Sequence, residues 1–281
     1  MMTRATVLLV AVVVVVGWMG DVVEAASQTD LAGAQGNAWT ACTHLRVYGL
    51  NFDQGLARFL AYSNPQVKSV LEFGCGLGLY LDYVCRRSNA TKVIGIEPEA
   101  MTFENSVFSR VNDTSLCPAQ AAVNVLHASE AELAALGLMS KFDLVYSIEV
   151  LEHIPREFHD KMADFLVSRV DKLLVFSAAR PNQEGWGHIA ERPTEEWIEE
   201  FTSRGLVYLW RVTELVRRVC DKRNVNHKRN ILVFARPGTF FADDNSSVFS
   251  RQILLSNPDD QPAVMWPELQ AMSTKVCGAP A

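Results

Sequence analysis

The middle of this chain predicts an α/β fold, a doubly wound, mostly parallel sheet with helices on both faces. Three observations carry that prediction. Short apolar runs alternate with segments of helical periodicity between residues 66 and 236. A glycine-rich turn, Gly74-Cys75-Gly76-Leu77-Gly78, joins the first of those runs to a helical segment. An acid, Glu97, ends the next run. The 281 residues leave room for one such domain with extensions. A composition of 49% hydrophobic and 21% charged residues excludes a wholly disordered chain. With 26 Lys and Arg against 32 Asp and Glu, the net charge of −6 excludes a sequence-independent nucleic-acid binder, which needs a basic face.

The elements follow in order. A helical pattern over Gln54–Tyr62 is stopped by Asn64-Pro65. Val67–Phe73 reads as the first strand, Leu79–Arg87 as a helix, and Lys92–Glu97 as the second strand. Val123–Leu126 is the expected third strand and Phe142–Ser147 the fourth. Phe158, Met162, Phe165, Leu166 and Val170 have helical spacing within Arg156–Val170. Leu173–Ser177 is the fifth strand, and Ile231–Ala235 a late one. Thr194–Ser203 reads as a helix with Thr194 as N-cap and Glu195 and Glu196 well placed in its first turn.

The ends differ from this core. Arg4 precedes an apolar run, Thr6–Met19, and Val23-Glu24-Ala25 offers small residues for a cut after Ala25. Residues 1–25 therefore read as a secretory signal peptide, with an uncleaved signal-anchor as the alternative and the one route to a membrane. Residues 26–65 form a helical lead-in, 66–236 the main domain, and 237–281 a tail rich in Pro, Asp, Asn and Ser. Asn89-Ala90-Thr91, Asn112-Asp113-Thr114 and Asn245-Ser246-Ser247 are glycosylation acceptors that agree with a secreted or lumenal chain. So do six cysteines, Cys42, Cys75, Cys85, Cys117, Cys220 and Cys277. Cys75 lies inside the glycine turn, so at most two bridges are expected. No Cys-x-x-Cys spacing suggests structural zinc.

Function is concentrated around Val70–Tyr80. Strand, glycine turn and helix mark the point where a parallel sheet opens its ligand crevice, and glycines let the backbone approach a ligand closely. A dinucleotide fingerprint would place a third glycine at position 79, which is Leu79. Glu72, two residues before Gly74, suits a cationic, amino-acid-like ligand better than a pyrophosphate. Glu97 stands nineteen residues after Gly78, where an acid suits ribose hydroxyls.

This stretch resembles motif I of the class I S-adenosylmethionine-dependent methyltransferases, and Glu97 resembles the acid ending their second strand. Phe142–Pro155, with its Glu152-His153-Ile154-Pro155 ending, resembles their fourth-strand segment. The likeness spans roughly Val67–Ala235. It implies a Rossmann-like sheet, S-adenosylmethionine as cofactor, and donor contacts from Glu72, Gly74, Cys75, Gly76, Gly78, Glu97, Pro98, Ser129, Ser147 and Glu149. The family often carries an acid after the third strand for adenine. His127 stands there instead, with Ser129 or Glu130 as substitutes.

Methyl transfer from a sulfonium is mostly a matter of alignment, and a base helps when the acceptor is a hydroxyl. The resemblance puts Glu149 and His153 near the methyl group, Glu149 as pocket lining and His153 as base or as brace for the helix after Pro155. His188 follows the fifth strand on the same edge, in Asn182–Ile189, whose glycines suit a flexible lid and whose Trp186 suits a sugar or aromatic ring. An unperturbed imidazole base would make the rate rise near pH ~6.5. Asp143 and Glu149 do not make a carboxylate cluster, so no metal is expected. The basic run Arg217-Arg218, Lys222-Arg223, Lys228-Arg229 reads as a solvated face. The expected activity is a secretory-pathway O-methyltransferase acting on a glycan or small molecule. The alternatives are a non-catalytic lumenal glycoprotein with the same fold and an NAD-dependent dehydrogenase.

Overall fold

The computed structural model describes residues 52–62, 66–98, 120–122, 125–185, 187–221 and 224–243. The leader, Asn112, Asn245, Cys42, Cys117, Cys277, Trp186 and the tail beyond residue 243 lie outside the described residues. In chain order the elements are α1 (Gln54–Tyr62), β1 (Ser69–Phe73), α2 (Leu79–Arg87), β2 (Lys92–Glu97), β3 (Gln120–Ala122), α3 (Glu130–Ala135) and β4 (Phe142–Ile148). Short 3-10 turns at Leu151–His153 and Arg156–Phe158 lead into α4 (His159–Arg169) and β5 (Val170–Ser177). Then come α5 (Thr194–Ser203), β6 (Val207–Tyr208), α6 (Trp210–Val219), α7 (Val225–Asn230), β7 (Leu232–Ala235) and a 3-10 turn at Phe240–Asp243. No helix among the described residues is long and apolar enough to cross a membrane.

The strands form one sheet in the order β3-β2-β1-β4-β5-β7-β6. Strands β1 to β5 run parallel, β7 runs antiparallel to β5, and β6 antiparallel to β7. Successive strand side chains point to opposite faces. Val70, Val93, Leu144, Val175 and Val233 fill one core with α1, α2 and α6, while their neighbours Leu71, Ile94, Val145, Phe176 and Phe234 fill the other with α4 and α5. Each large apolar side chain contributes about 1.5–3 kcal/mol on burial, so both faces hold the register. The strand order reverses between β1 and β4, which puts the ligand crevice at the C-terminal ends of those two strands.

Several expectations are corrected. The third strand is Gln120–Ala122, and Val125–His127 form a turn. Val125 is nonetheless buried in the second core, so its apolar character reflects burial and not a ladder position. Pro193, not Thr194, holds the cap position of α5, with Glu195 and Glu196 in the first turn as expected. The helix expected over Arg156–Val170 is α4 preceded by a 3-10 turn, and Val170 already belongs to β5. The lead-in is not loose at its end. Helix α1 packs into the first core, and the Asp53 carboxylate accepts the amides of Leu56 (2.9 Å) and Asp221 (2.9 and 3.0 Å), tying α1 to the end of α6. Phe241, at the start of the expected tail, is buried in the same core. Arg217 is not simply solvated: it bonds Glu214 and donates to the carbonyls of Arg229 and Ile231 around α7.

Asp143, at the start of β4, is the anchor at the other end of the sheet. It accepts the amides of Lys68 (2.6 Å) and Ser69 (3.1 Å) and pairs with Lys172 (2.8 Å), joining three strands. Burial alone would raise its pKa, but the Lys172 bond and charge and the two amides outweigh that and leave it below the ordinary carboxylate value. Because the folded pKa lies below the unfolded one, this stabilisation is present above pH ~4 and lost as pH falls through the folded pKa. We expect Asp143→Asn to lose about 1.5–3 kcal/mol at pH 7 by urea denaturation, with the gap to wild type closing as pH drops below ~4. A gap constant down to pH 3 would contradict this assignment.

Candidate active site

Strand β1 delivers the chain into a loop whose shape β2 sets. The amides of Gly74 and Cys75 both donate to the Ile96 carbonyl at 2.9 Å, and Gly78 donates to the Cys75 carbonyl at 2.8 Å. Gly74, Gly76 and Gly78 all have positive φ (73°, 52° and 77°), a region that disfavours residues with a Cβ. A Cβ on Gly74 would also lie 2.5 Å from the Val150 side chain. The buried Glu97 carboxylate accepts the Gly76 amide through Oε2 at 2.8 Å. One of its oxygens thus supports the loop, a role the sequence did not assign it. Pro98 follows at the surface.

Glu72 lies beneath this loop, 3% exposed, and accepts a hydrogen bond from Tyr146 Oη at 3.1 Å. Burial raises its pKa well above the usual value, partly offset by Tyr146 and reinforced by the charge of Glu97. Cys75 turns its side chain inward against Gly95, so only its backbone faces the loop. Cys75 and Cys220 are thiols, whereas Cys85 is in a disulfide whose partner lies outside the described residues.

Two expected donor contacts are differently employed. Ser129 caps α3: its hydroxyl accepts the Glu132 amide at 3.2 Å while the Glu132 carboxylate accepts the Ser129 amide at 2.8 Å. That reciprocal box takes up the hydroxyl expected to reach adenine. Ser147 is fully buried within β4 and its hydroxyl has no hydrogen-bond partner among the described residues. His127 is exposed.

The end of β4 carries the second half of the site. Glu149 has φ 54°, uncommon for a residue with a side chain. Its amide donates to the carbonyl (3.0 Å) and hydroxyl (3.1 Å) of Ser177, and its carboxylate accepts Gln183 Nε2 (3.0 Å) and Asn230 Nδ2 (3.0 and 3.1 Å). The next turn presents Glu152 and His153. The segment after β5 is stapled to that turn, since the amides of Ile189 and Ala190 donate to the Glu152 carbonyl at 3.0 and 3.1 Å. A freely flexible lid is therefore corrected to an anchored loop. His159 clamps the same turn, its Nε2 lying 2.9 and 2.8 Å from the carbonyls of Leu151 and Ile154. The bracing role weighed for His153 thus falls to a histidine six residues on.

His153 and His188 meet edge to face, ring centroids 5.1 Å apart. His153 Nδ1 lies 2.9 Å from the Gly187 carbonyl, and His188 Nδ1 lies 3.1 Å from both the Gln183 carbonyl and Glu191 Oε1. Oxygen acceptors at Nδ1 put the ring proton there and the lone pair of each neutral ring at Nε2. Burial, with the charge of His188 adding to it against the Gly187 bond and Glu149, lowers the His153 pKa to about 4. The rise in rate expected near 6.5 therefore does not come from His153. Glu152 is fully buried, and neither carboxylate oxygen finds a partner in bonding geometry among the described residues. Burial and then the charge of Glu149 hold its pKa well above the usual value, with nearby amides offsetting only part. Sequence reasoning assigns Glu152 no role and does not point to Asn230 or Glu191. The Glu149-x-x-Glu152-His153 spacing was the available signal for Glu152; Asn230 has none, since its contact spans 81 positions.

The glycine loop generates a direct test of the donor site. S-adenosylhomocysteine is expected to bind the folded chain, and Gly76→Val to abolish binding in calorimetry by forcing a branched side chain into a left-handed turn. Glu97→Ala should weaken binding by about 1.5–3 kcal/mol, through lost ribose contacts and a loosened Gly76. Unchanged dissociation constants in both variants would move the donor elsewhere.

Comparison with known proteins gives the family. A family model described as "Methyltransferase domain" matches residues 46–216, more than half of the chain. No curated protein matches the chain in sequence. Among solved structures, magnesium protoporphyrin IX methyltransferase from Synechocystis PCC 6803 with bound S-adenosylhomocysteine is 17% identical with a TM-score of 0.46, covering 77% of this chain and 90% of that one. An O-methyltransferase family protein from Burkholderia thailandensis is 13% identical with a TM-score of 0.48, covering 70% and 57%. A Rickettsia typhi protein, PKMT2, in complex with AdoHcy is 11% identical with a TM-score of 0.46, covering 68% and 54%. By its family match and its strand, glycine loop and helix, the chain belongs to the methyltransferase-domain family and is a class I S-adenosylmethionine-dependent methyltransferase.

Proposed function

We propose that this methyltransferase works in the secretory pathway and transfers the methyl group of S-adenosylmethionine to a hydroxyl of a glycan or small molecule. The observation behind the acceptor class is the imidazole pair His153 and His188, each with its lone pair set at Nε2 by an oxygen acceptor at Nδ1. A hydroxyl can donate to such a lone pair. A carboxylate acceptor has no proton to give and would meet the carboxylates of Glu149 and Glu191. In the transfer the hydroxyl oxygen attacks the methyl carbon and the C–S bond breaks, its electron pair staying on sulfur to give S-adenosylhomocysteine. The proton on that oxygen becomes strongly acidic as the C–O bond forms, so even the weakly basic His153 can take it and pass it to water. Alignment supplies most of the acceleration.

The location rests on separate observations. The apolar leader and the disulfide at Cys85 both fit an oxidising compartment. Asn89 is exposed in the link between α2 and β2, at the end of the sheet opposite the glycine loop, where a glycan clears the donor crevice.

Labelled donor offered with sugar, phenolic and carboxylate acceptors tests the chemistry. Transfer to hydroxyls is expected, with His153→Ala and His188→Ala each lowering kcat by about 100-fold or more, the general-base range, while S-adenosylhomocysteine still binds. Transfer confined to carboxylates, or full activity in both variants, would overturn the hydroxyl reading and leave the donor site standing. For location, intact mass of protein secreted from a eukaryotic host should show a chain starting near Ala26, and Asn89→Gln should remove one glycan without changing donor affinity. An unglycosylated cytosolic product would refute the assignment.

A further inference from the structure

We propose that Glu152, His153 and His188 form a binding site for one divalent transition-metal ion. Each offers one ligand atom, and the three atoms lie within 4.8 Å of one another. Two imidazoles and one carboxylate with an open position make a common donor set for zinc and its first-row neighbours. A metal at about 2.0–2.2 Å from each ligand would hold them ~3.3–3.5 Å apart, so the cluster need close by only about 1.5 Å.

Three features distinguish this cluster from a chance meeting of polar side chains. Glu152 is fully buried with both carboxylate oxygens lacking a partner among the described residues, an arrangement that is costly unless a cation or proton compensates it. Both histidines carry the outer support usual for metal ligands. Nδ1 of His153 is held by the Gly187 carbonyl, and Nδ1 of His188 by the Gln183 carbonyl and the Glu191 carboxylate, which orients each ring and directs Nε2 lone pairs to the ion. Gly185 packs its backbone against the Nε2–Cε1 edge of His188, where a Cβ would lie 2.1 Å from that nitrogen, so glycine is what the imidazole's position requires. The neighbouring Glu149 is no competitor for the ion, because Gln183 and Asn230 occupy its carboxylate.

The sequence led us to expect no metal, because Asp143 and Glu149 were the acids weighed. Asp143 lies at the far end of β4, and the acid that matters is Glu152. The ion's binding does not depend on the acceptor. Its use does rest on the hydroxyl reading: with both Nε2 lone pairs on the ion, a hydroxyl oxygen at the open position would lose its proton to water in place of an imidazole.

The test uses the full secreted chain without a histidine tag, stripped with chelator and titrated with Co2+. One Co2+ per chain is expected, with visible bands of a low-coordinate nitrogen-oxygen site that Zn2+ abolishes. Glu152→Gln, nearly isosteric, and His188→Ala should each weaken Co2+ binding by at least about 100-fold. S-adenosylhomocysteine binding by the same preparations verifies that each variant is folded and reads the donor site separately. No stoichiometric Co2+ in wild type, or equal binding in both folded variants, would overturn the metal site without touching the methyltransferase assignment. Loss of S-adenosylhomocysteine binding with Co2+ binding intact would do the reverse.

Discussion

Because the sheet is buried on both faces, its strands can hold polar side chains cheaply only where they end, and the site is built from those ends. Val70 and Leu71, Leu144 and Val145, and Val175 and Phe176 commit the strand interiors to two apolar cores. The backbone leaves the ladder at Gly74 after β1, at Pro98 after β2, at Glu149 after β4 and at Ala178 after β5. These exits lie side by side through parallel pairing, so residues far apart in sequence converge on one edge. The Gly76 amide and the Glu97 carboxylate meet across 21 positions, and Glu149 meets Asn230 across 81.

The charge of that edge is lopsided. Glu72, Glu97, Glu149, Glu152 and Glu191 gather there with two histidines, one of them, His153, held neutral by burial. Desolvation and mutual repulsion both work against the charged forms, and both ease when a cation enters. A sulfonium donor brings such a cation, and its thioether product does not. An acidic edge therefore favours substrate over product electrostatically, which helps each turnover to end in release. Glu72 lies beneath the loop, where the hydrogen bond it accepts from Tyr146 keeps it in place.

Much of this was legible in the sequence because it is local. Helices α1, α2 and α5 have the expected limits, and β2 matches residue for residue, since apolar periodicity and stops such as Asn64-Pro65 act within a few residues. The glycine loop was readable for the same reason, positive φ being a property of single positions. What escaped notice is non-local or masked by burial. Val125 is apolar because it is buried, and that misplaced the third strand. Helices α3 and α7 are only six residues long, too short for a periodic signal, although the Ser129-x-x-Glu132 box was there to be read. The partners of Glu149, and the His153 ring that meets His188, come from separate segments, and spacing in one segment says nothing about the other.

Glu149 shows how those segments are locked together. A non-glycine residue in the left-handed region costs of the order of 1–3 kcal/mol and persists only where its surroundings over-determine it. Here they do. Its amide is bound by Ser177 from β5, and its carboxylate by Gln183 from the following loop and by Asn230 at the end of α7. Asn230 also donates to Gln183 Oε1 at 2.8 Å, closing a ring of three side chains. The strained turn is what swings the chain out of β4 and sets Glu152 and His153 facing His188. Relaxing Glu149 to an ordinary strand conformation would continue β4 in line and carry both side chains away from the imidazole they meet. The strain is local, and its consequence is the geometry of the reactive edge.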